Sequence, residues 1–291
     1  MRGWPSLRLL LAVLAAAGCQ QSPEPGARPL VVASVFPVYE FTRQVAGDRA
    51  QVISLVPPGV EPHDWEPSPR DVTQVRRARL FVYNGAGFEP WAPRLLAEID
   101  GGTTASVSAT AGLALQAGDP HVWLDPVLAR TQVETIGAAL ARADPAGAEG
   151  YAARAATFAA TLAALDGRFA AGLRECARRE VVVSHAAFGY LTRRYHLEQV
   201  PVMGSAPESE PSPAALAAIV RLARHRKVQA IFFEPLVSRR LAETLALEVG
   251  ARTLVLNPIE GLTGAEAAAR KGYHDLMAAN LDSLRDGLGC R

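Results

Sequence analysis

The stretch GYAARAATFAATLAALDGRFAAGL, residues 150–173, sets the organisation of the chain. It is rich in alanine, the residue with the highest helix propensity, and it contains no glycine between Gly150 and Gly167. A helix-breaking segment, DPAG at 144–147, comes shortly before it. At 1.5 Å per residue, a helix of about 25 residues is long enough to reach across a domain. The sequence therefore predicts one long helix over 146–175, near the middle of the chain.

Short β-branched runs alternate with longer amphipathic runs on both sides of this helix. The runs predicted as strands cover 30–34, 51–56 and 80–84 before it, and 180–185, 197–202, 228–233 and 251–257 after it. Helices are predicted between them, among others at 38–46 and 125–143. This alternation is the signature of βα units around a mostly parallel sheet.

We therefore expect an α/β fold of two lobes, each with a mostly parallel sheet flanked by helices. The first lobe should cover 30–145 and the second 176–291, with the long helix as their rigid connection. A single helical bridge resists the wide hinge motion that several flexible crossovers permit. The sequence shows no internal repeat at a fixed period.

The N-terminus has the features of an export signal. Arg2 and Arg8 precede the apolar run LLLAVLAAAG, which is too short to span a bilayer comfortably and ends in small residues before Cys19. The ending AAAGC resembles the lipobox of bacterial lipoproteins, in which the cysteine is lipidated. The alternative is an ordinary signal with a chance cysteine. We expect residues 1–19 to be the signal, 20–29 a flexible tether, and the folded part to work outside the cytoplasm, anchored to the membrane by the lipid.

Composition and charge narrow the function further. The chain is 49% hydrophobic and 20% charged, as is ordinary for globular proteins, and its formal net charge of +1 becomes −1 when Arg2 and Arg8 are removed with the signal. This balance argues against nucleic acid as a partner. Two cysteines then remain, Cys176 and Cys290, in a compartment where disulfides persist. We expect them to pair and to tie the C-terminal tail to the start of the second lobe.

Three of the six histidines stand in loop-like surroundings. His63 lies in the proline-rich stretch GVEPHDWEPSP, His121 in GDPHVWLDP, and His185 directly after the apolar run VVVS. His63 and His185 follow predicted strands, and ligands of open α/β sheets bind beyond the carboxyl ends of strands.

The other three histidines have plainer surroundings. His225 is expected on the polar face of a helix, and His196 and His274 follow tyrosines in helix-like stretches that suit surface or packing roles. Any single histidine is more often structural than a ligand. Three neutral imidazoles that converge between two lobes would nevertheless suit a borderline-soft divalent metal.

Four motifs carry a resemblance to a known family. GVEPHDWEPSPRDV, DPHVWLDP, VVVSHAAFGYLTRRY and LVLNPIEGL, in this order, resemble the metal-binding solute-binding proteins of bacterial ABC importers, the cluster A-I group that carries zinc or manganese. The resemblance covers about residues 30–288. It implies two α/β lobes linked by a rigid helix, a metal held at their interface, and delivery of that metal to a membrane permease with a cytoplasmic ATPase.

The same resemblance implies a ligand set. The family's first three ligands fall on His63, His121 and His185, and the carboxylate that members with N-P-x-E contribute falls on Glu260. Some relatives place an aspartate where this chain has Asn257, which has no charge to offer a cation. This difference favours Glu260 as the fourth ligand.

Other acidic residues compete for a role in this site. Glu234, at the end of a predicted strand, is the alternative fourth ligand, and we prefer it as a group that hydrogen-bonds a ligand histidine. Asp64 and Asp125 stand near the ligand histidines and could orient imidazoles or be solvated loop acids.

The expected cargo is Zn²⁺. Three imidazoles and one carboxylate form a nitrogen-rich set for four-coordinate zinc, whereas Mn²⁺ prefers more oxygen ligands. The resemblance points the same way, because a second carboxylate in place of the third histidine tends to accompany manganese. Mn²⁺ or another divalent transition metal stays the alternative. Zinc-carrying relatives often have a histidine- and acid-rich loop before the second ligand, and 101–118 contains neither residue type.

We therefore expect a monomeric extracytoplasmic receptor that captures Zn²⁺ and passes it to an ABC permease. One alternative is a surface adhesin or lipoprotein in which the metal only stabilises the fold. A secreted zinc hydrolase is the least favoured reading, because the chain lacks H-E-x-x-H and a fourth protein ligand leaves no open position for a catalytic water. The protein is expected not to be an enzyme.

Overall fold

Two four-stranded parallel sheets form the framework of the protein in a computed structural model, which describes residues 28–202 and 213–291. The predicted signal, most of the predicted tether and Cys19, the predicted site of lipidation, lie outside the described residues. The strands are β1 Leu30–Ala33, β2 Gln51–Ser54, β3 Leu80–Tyr83, β4 Ala105–Ser108, β5 Glu180–Val183, β6 Glu198–Pro201, β7 Ala230–Phe233 and β8 Arg252–Val255. The helices are α1 Phe36–Ala46, α2 Pro69–Arg76, α3 Ala92–Ile99, α4 Pro126–Ala143, α5 Ala148–Gly172, α6 Gly189–Arg194, α7 Pro213–His225, α8 Arg240–Val249, α9 Gly264–Ala268 and α10 Tyr273–Leu288.

The first sheet has the strand order β2-β1-β3-β4. In its centre Val32 pairs with Ile53 on one side and Phe81 on the other. Strand β4 is missing from the sequence prediction, because ASVS is short, half serine and exposed at its first two residues. An edge strand of this kind gives little hydrophobic periodicity. This sheet and helices α1–α4 form what we call the first lobe.

The second sheet repeats the same arrangement in the order β6-β5-β7-β8. All four of its strands fall within the runs that the sequence predicts. Strands β5 and β7 are almost wholly buried, as expected of central strands that are covered on both faces. This sheet and helices α6–α10 form the second lobe. The predicted fold class is thus confirmed.

Helix α5 joins the lobes and has 25 residues, which corresponds to a length of about 37 Å. Its buried side chains recur at spacings of three and four residues and form one stripe: Tyr151, Ala155, Phe158, Leu162, Leu165 and Phe169. Through this stripe α5 packs on α1 and α4 of the first lobe and on α10 of the second. Helices of both lobes therefore lie against α5, and we call α5 the brace because it connects and supports the two lobes.

A disulfide bond also links the two ends of the second lobe, close to the C-terminal end of α5. Cys176 and Cys290 form a disulfide, as predicted, with an S–S distance of 2.00 Å. The bond lies beside backbone hydrogen bonds from Ala177 to Gly289 and from Arg178 to Leu288. It fixes the end of α10 against the segment that follows α5.

The three histidines without a predicted ligand role lie apart from one another. His225 is the exposed last residue of α7, and His274 lies on α10 with its ring 5.3 Å from that of Phe158. His196 differs from the prediction: it is an exposed turn residue after α6 with a positive φ of 57° and is not helical. Within residues 28–202 and 213–291, no helix has both the length and the apolarity to cross a membrane.

Candidate metal centre

The first histidine of the site, His63, lies on a short turn of 3-10 helix, Pro62–Asp64, in the loop that follows β2. The backbone N–H of His63 donates a hydrogen bond to the carboxylate of Glu61 at 3.3 Å, and the centre of the Phe88 ring lies 4.8 Å from that of the His63 imidazole. A proline in the turn limits the backbone freedom of this loop. The imidazole is therefore held between a capped turn and an aromatic wall, and it keeps 14% of its side chain exposed.

His121 directly precedes the turn Val122–Leu124, which leads into α4. Its side chain is fully buried. One carboxylate oxygen of Asp119 accepts hydrogen bonds from the backbone N–H of His121 at 3.0 Å and lies 2.8 Å from Nδ1. This double contact fixes the ring and leaves Nε2 as the nitrogen that faces the interior of the site.

His185 lies two residues beyond the end of β5 and repeats this arrangement. The carboxylate of Glu234 accepts from its backbone N–H at 3.2 Å and lies 2.7 Å from its Nδ1. The His185 side chain is completely buried, and that of Glu234 is 3% exposed. Glu234 thus takes the orienting position that the sequence analysis preferred for it.

Glu260 supplies the carboxylate on which the three rings converge. Its Oε1 lies 3.4 Å from Nε2 of His63, 2.9 Å from Nε2 of His121 and 3.4 Å from Nε2 of His185. One donor atom from each of the four residues can be chosen so that all four atoms lie within 4.8 Å of one another. The first lobe provides two of these residues and the second lobe provides the other two.

Two of the imidazole nitrogens are buried without a hydrogen bond to any described residue. Nε2 of His121 and Nε2 of His185 come close to Glu260, but their angles of approach do not meet hydrogen-bond geometry. A buried polar atom of this kind normally finds a partner, because leaving it unsatisfied costs free energy. A cation between the four residues would be that partner for both nitrogens.

The carboxylates dominate the electrostatics of the site. Burial opposes a charge on His185, but its contacts with the carboxylates of Glu234 and Glu260 outweigh burial and raise its pKa to about 10. The pKa of His121 is also raised: burial works against the charge, and the contacts with Asp119 and Glu260 prevail. Burial disfavours the ionised form of Glu260, yet the three histidines hold its pKa well below the usual range. Burial and then the charge of Glu260 raise the pKa of Glu61 to about 7.

Two residues that were predicted as possible imidazole partners do other things. Asp64 is exposed, and within the described residues its carboxylate makes no hydrogen bond to an imidazole. Asp125 caps α4 by accepting from the N–H of Val127 at 2.8 Å and lies 3.3 Å from the guanidinium of Arg194.

Asn257 shapes the loop that carries Glu260. Its Oδ1 accepts from the N–H of Ile259 at 2.7 Å, and its Nδ2 donates to Glu266 at 3.0 Å. Its side chain therefore fixes the backbone of the loop that carries Glu260.

Sequence reasoning missed several residues of the site. Asp119 is the main one, and the pattern Asp-Pro-His could have indicated it, since the carboxylate two residues before His121 folds back onto the same residue. Phe88 and Trp123 also contact the site: the ring of Phe88 lies 5.9 Å from that of His121, and the ring of Trp123 lies 5.3 Å from it. No polar pattern marks these aromatic residues in the sequence.

The fold and the site together define a class of protein. Two parallel-sheet lobes are joined by one long helix, and each lobe contributes two side chains to a mostly buried cluster that could hold a metal ion. This is the architecture of a solute-binding protein for a metal ion.

The particular family follows from comparison with known proteins. The chain belongs to the family described as zinc-uptake complex component A, periplasmic, whose model matches residues 31–287. It is 39% identical over 277 residues to the high-affinity zinc uptake system protein ZnuA of Bacillus subtilis, covering 89% of this chain and 87% of that protein. It is 37% identical over 301 residues to the zinc-binding lipoprotein AdcA of Streptococcus pneumoniae, covering 96% of this chain but only 60% of that longer protein.

A solved structure shows the same fold. The Zn(II)-bound ZnuA-like domain of Streptococcus pneumoniae AdcA superposes with a TM-score of 0.82 at 39% identity, covering 90% of this chain and 99% of that domain. These findings confirm the family predicted from the four motifs. A member of this family is a solute-binding component of an uptake system and not an enzyme, so the hydrolase alternative is wrong.

Proposed function

We propose that the protein captures Zn²⁺ outside the cytoplasm with His63, His121, His185 and Glu260 and delivers it to an ABC permease. The single observation that supports this most is the convergence of three imidazole Nε2 atoms within 3.4 Å of one Glu260 oxygen. The names of the relatives, a zinc uptake protein and a zinc-binding lipoprotein, support the same cargo.

The geometry of the four donors suits tetrahedral zinc. With Zn–N and Zn–O bonds of about 2.0–2.1 Å, neighbouring donors of a tetrahedral site are about 3.3 Å apart. The distances from Glu260 Oε1 to the three nitrogens, 2.9, 3.4 and 3.4 Å, lie around this value. Small side-chain shifts would therefore complete the shell. A hard, octahedral Mn²⁺ shell would need more oxygen donors.

Membrane attachment is a separate part of the proposal. We propose that Cys19 is lipidated and that the tether at 20–29 lets a monomeric receptor reach the permease, whose ATPase lies on the cytoplasmic side. The lipobox-like ending AAAGC supports the anchor. Globomycin sensitivity of processing and metabolic labelling with palmitate would test it, with Cys19→Ala as the control.

The zinc proposal is tested by elemental analysis of protein purified without added metal, together with competition between Zn²⁺ and Mn²⁺. We expect one zinc per chain and a clear preference for zinc, both abolished in a His121→Ala variant. Bound manganese, or zinc bound equally by the variant, would contradict the assigned site.

Transport is tested in a deletion strain that expresses the wild type or the same variant under zinc limitation. We expect only the wild type to restore zinc accumulation. Zinc accumulation that is unchanged in the deletion strain would count against transport. If adhesion to host matrix proteins were lost in that strain and restored by the wild type, the metal-stabilised adhesin would be favoured instead.

A further inference from the structure

One hydrogen bond connects the ligand loops of the two lobes. The indole Nε1 of Trp123 donates to the backbone carbonyl of Pro258 at 2.7 Å, and the bond is buried. Trp123 lies two residues after His121, and Pro258 lies two residues before Glu260. The contact therefore connects the segment that carries His121 in the first lobe with the segment that carries Glu260 in the second.

The indole is itself firmly placed. Trp123 has no exposed surface, and its ring lies 5.3 Å from that of His121 and 5.3 Å from that of Phe88. The hydroxyl of Tyr273 at the start of α10 donates to the backbone carbonyl of Trp123. The donor that reaches Pro258 is thus fixed by packing and by a second hydrogen bond between the lobes.

The turn that Trp123 contacts has a strained backbone. Ile259, between Pro258 and Glu260, has a φ of 61°, a left-handed conformation that β-branched residues rarely adopt. Strain of this kind persists only when the surroundings fix the backbone, and it is concentrated at functional sites. On one side the turn is fixed by Asn257, whose Oδ1 accepts from the N–H of Ile259 at 2.7 Å.

Asn280 of α10 fixes the same side of the turn. Its Oδ1 accepts from the N–H of Asn257 at 2.8 Å, and its Nδ2 donates to the carbonyl of Asn257 at 2.7 Å. All of these contacts lie within the second lobe. The bond from Trp123 to Pro258 is different, because its donor belongs to the first lobe.

We infer that Trp123 is a positioning residue for Glu260. Its indole N–H holds the carbonyl of Pro258, which keeps the left-handed turn at Ile259 in the form that directs the Glu260 carboxylate towards the three histidines. Because the donor belongs to the opposite lobe, the fourth ligand reaches its place only when the lobes are together. The inference rests on the proposed zinc site.

The test uses Trp123→Phe, which keeps a large aromatic ring in the core but removes the N–H donor. Trp91→Phe is the matched control, because Trp91 is a buried tryptophan in a separate hydrophobic cluster of the first lobe. Zinc affinity is measured by competition with a chromophoric chelator. We expect the Kd of Trp123→Phe to rise about 10-fold, within the range found when groups that orient metal ligands are removed, and that of the control to stay within twofold.

A spectroscopic readout separates positioning from general destabilisation. Co²⁺ bound to the wild type should give the intense visible absorption of a tetrahedral site. With Trp123→Phe, the Co²⁺ spectrum should shift towards that of Glu260→Gln, because both changes remove the same ligand from the shell. A spectrum identical to the wild type would overturn the inference.

A double-mutant cycle completes the test. If Trp123 acts through Glu260, the double variant Trp123→Phe/Glu260→Gln should bind zinc within twofold of Glu260→Gln alone. Additive losses would overturn the inference while leaving the zinc site itself intact. A wild type that binds no zinc would instead refute the proposed function. If Trp123→Phe fails to fold, Tyr273→Phe removes the donor that holds the Trp123 backbone, and it should shift the Co²⁺ spectrum in the same direction.

Discussion

Asp119 is the best single probe of how the protein tunes its metal ligands. Its carboxylate lies 2.8 Å from Nδ1 of the fully buried His121 and also accepts from the backbone N–H of that residue. Loss of a carboxylate that orients a ligand histidine typically weakens metal binding 10- to 100-fold, or about 1.4–2.7 kcal/mol. Asp119→Asn keeps a neutral acceptor, and charge-assisted bonds are roughly twice as strong as neutral ones. We therefore expect about a 10-fold rise in the zinc Kd for Asn and about 100-fold for Ala.

The loss should depend on pH in a defined direction. The pKa of His121 is raised because its contacts with Asp119 and Glu260 outweigh the effect of burial. Removing the Asp119 charge therefore lowers the pKa of His121, so fewer protons compete with zinc in the variant at low pH. The difference in zinc Kd between the wild type and Asp119→Asn should therefore be largest above the pKa of His121 and should become smaller as the pH falls.

The control is Asp64→Asn, which removes a carboxylate next to His63 that is exposed. Chelator competition at several pH values measures both variants, and circular dichroism establishes that each is folded. Equal zinc affinities for Asp119→Asn and the wild type, or equal losses in the two variants, would refute the assignment of Asp119 as the group that orients His121.

Three further expectations concern protonation, the disulfide and the choice of histidines. Because the pKa of His185 is raised to about 10 and zinc needs its neutral ring, zinc binding at pH 7 should release a proton, measured by calorimetry in buffers of different ionisation enthalpy. The same shift stabilises the metal-free protein below about pH 6.5, and urea titrations should show this contribution disappearing as the pH rises towards 10. Cys290→Ser should lower the free energy of unfolding by about 3–5 kcal/mol without changing the zinc Kd, because the bond to Cys176 closes a loop spanning 114 positions. In zinc titrations, His121→Ala should raise the Kd more than about 100-fold, whereas His225→Ala should leave it unchanged.

The sequence predicted most of the fold because its strongest signals are local. A long alanine-rich run predicted α5, and buried runs of β-branched and aromatic residues predicted β1, β3, β5 and β7 close to their observed bounds. Strand β4 was not predicted, because a short polar edge strand has no hydrophobic pattern of its own. His196 was misplaced because α6 ends before it: the N–H of Leu197 donates to the carbonyl of Thr192 and leaves His196 in a left-handed turn.

The sequence predicted only those residues of the site that lie in recognisable family motifs. The four residues that converge were named from a family resemblance, since no spacing along the chain shows that His63 and Glu260 meet. The groups that orient them were harder to find. Asp64 is close to His63 in sequence but exposed, whereas Glu234 is far from His185 in sequence and bonds its ring. Sequence proximity therefore does not decide by itself which acid orients a ring: Asp119 contacts the nearby His121, whereas Asp64 is exposed beside His63.

The division of donors between the lobes explains how a rigid brace can serve both capture and release. His63 and His121 belong to the first lobe, and His185 and Glu260 to the second, so in the proposed site either lobe alone offers two donors to the ion. Zinc bonds to nitrogen and oxygen donors are only about 2.0–2.2 Å long, so separating the lobes would lengthen two bonds at once. Helix α5 packs against helices of both lobes and opposes large rotations. With the proposed ligands, a small opening of the lobes would therefore suffice for release, and a permease could drive it by contacts on both lobes while α5 stays intact.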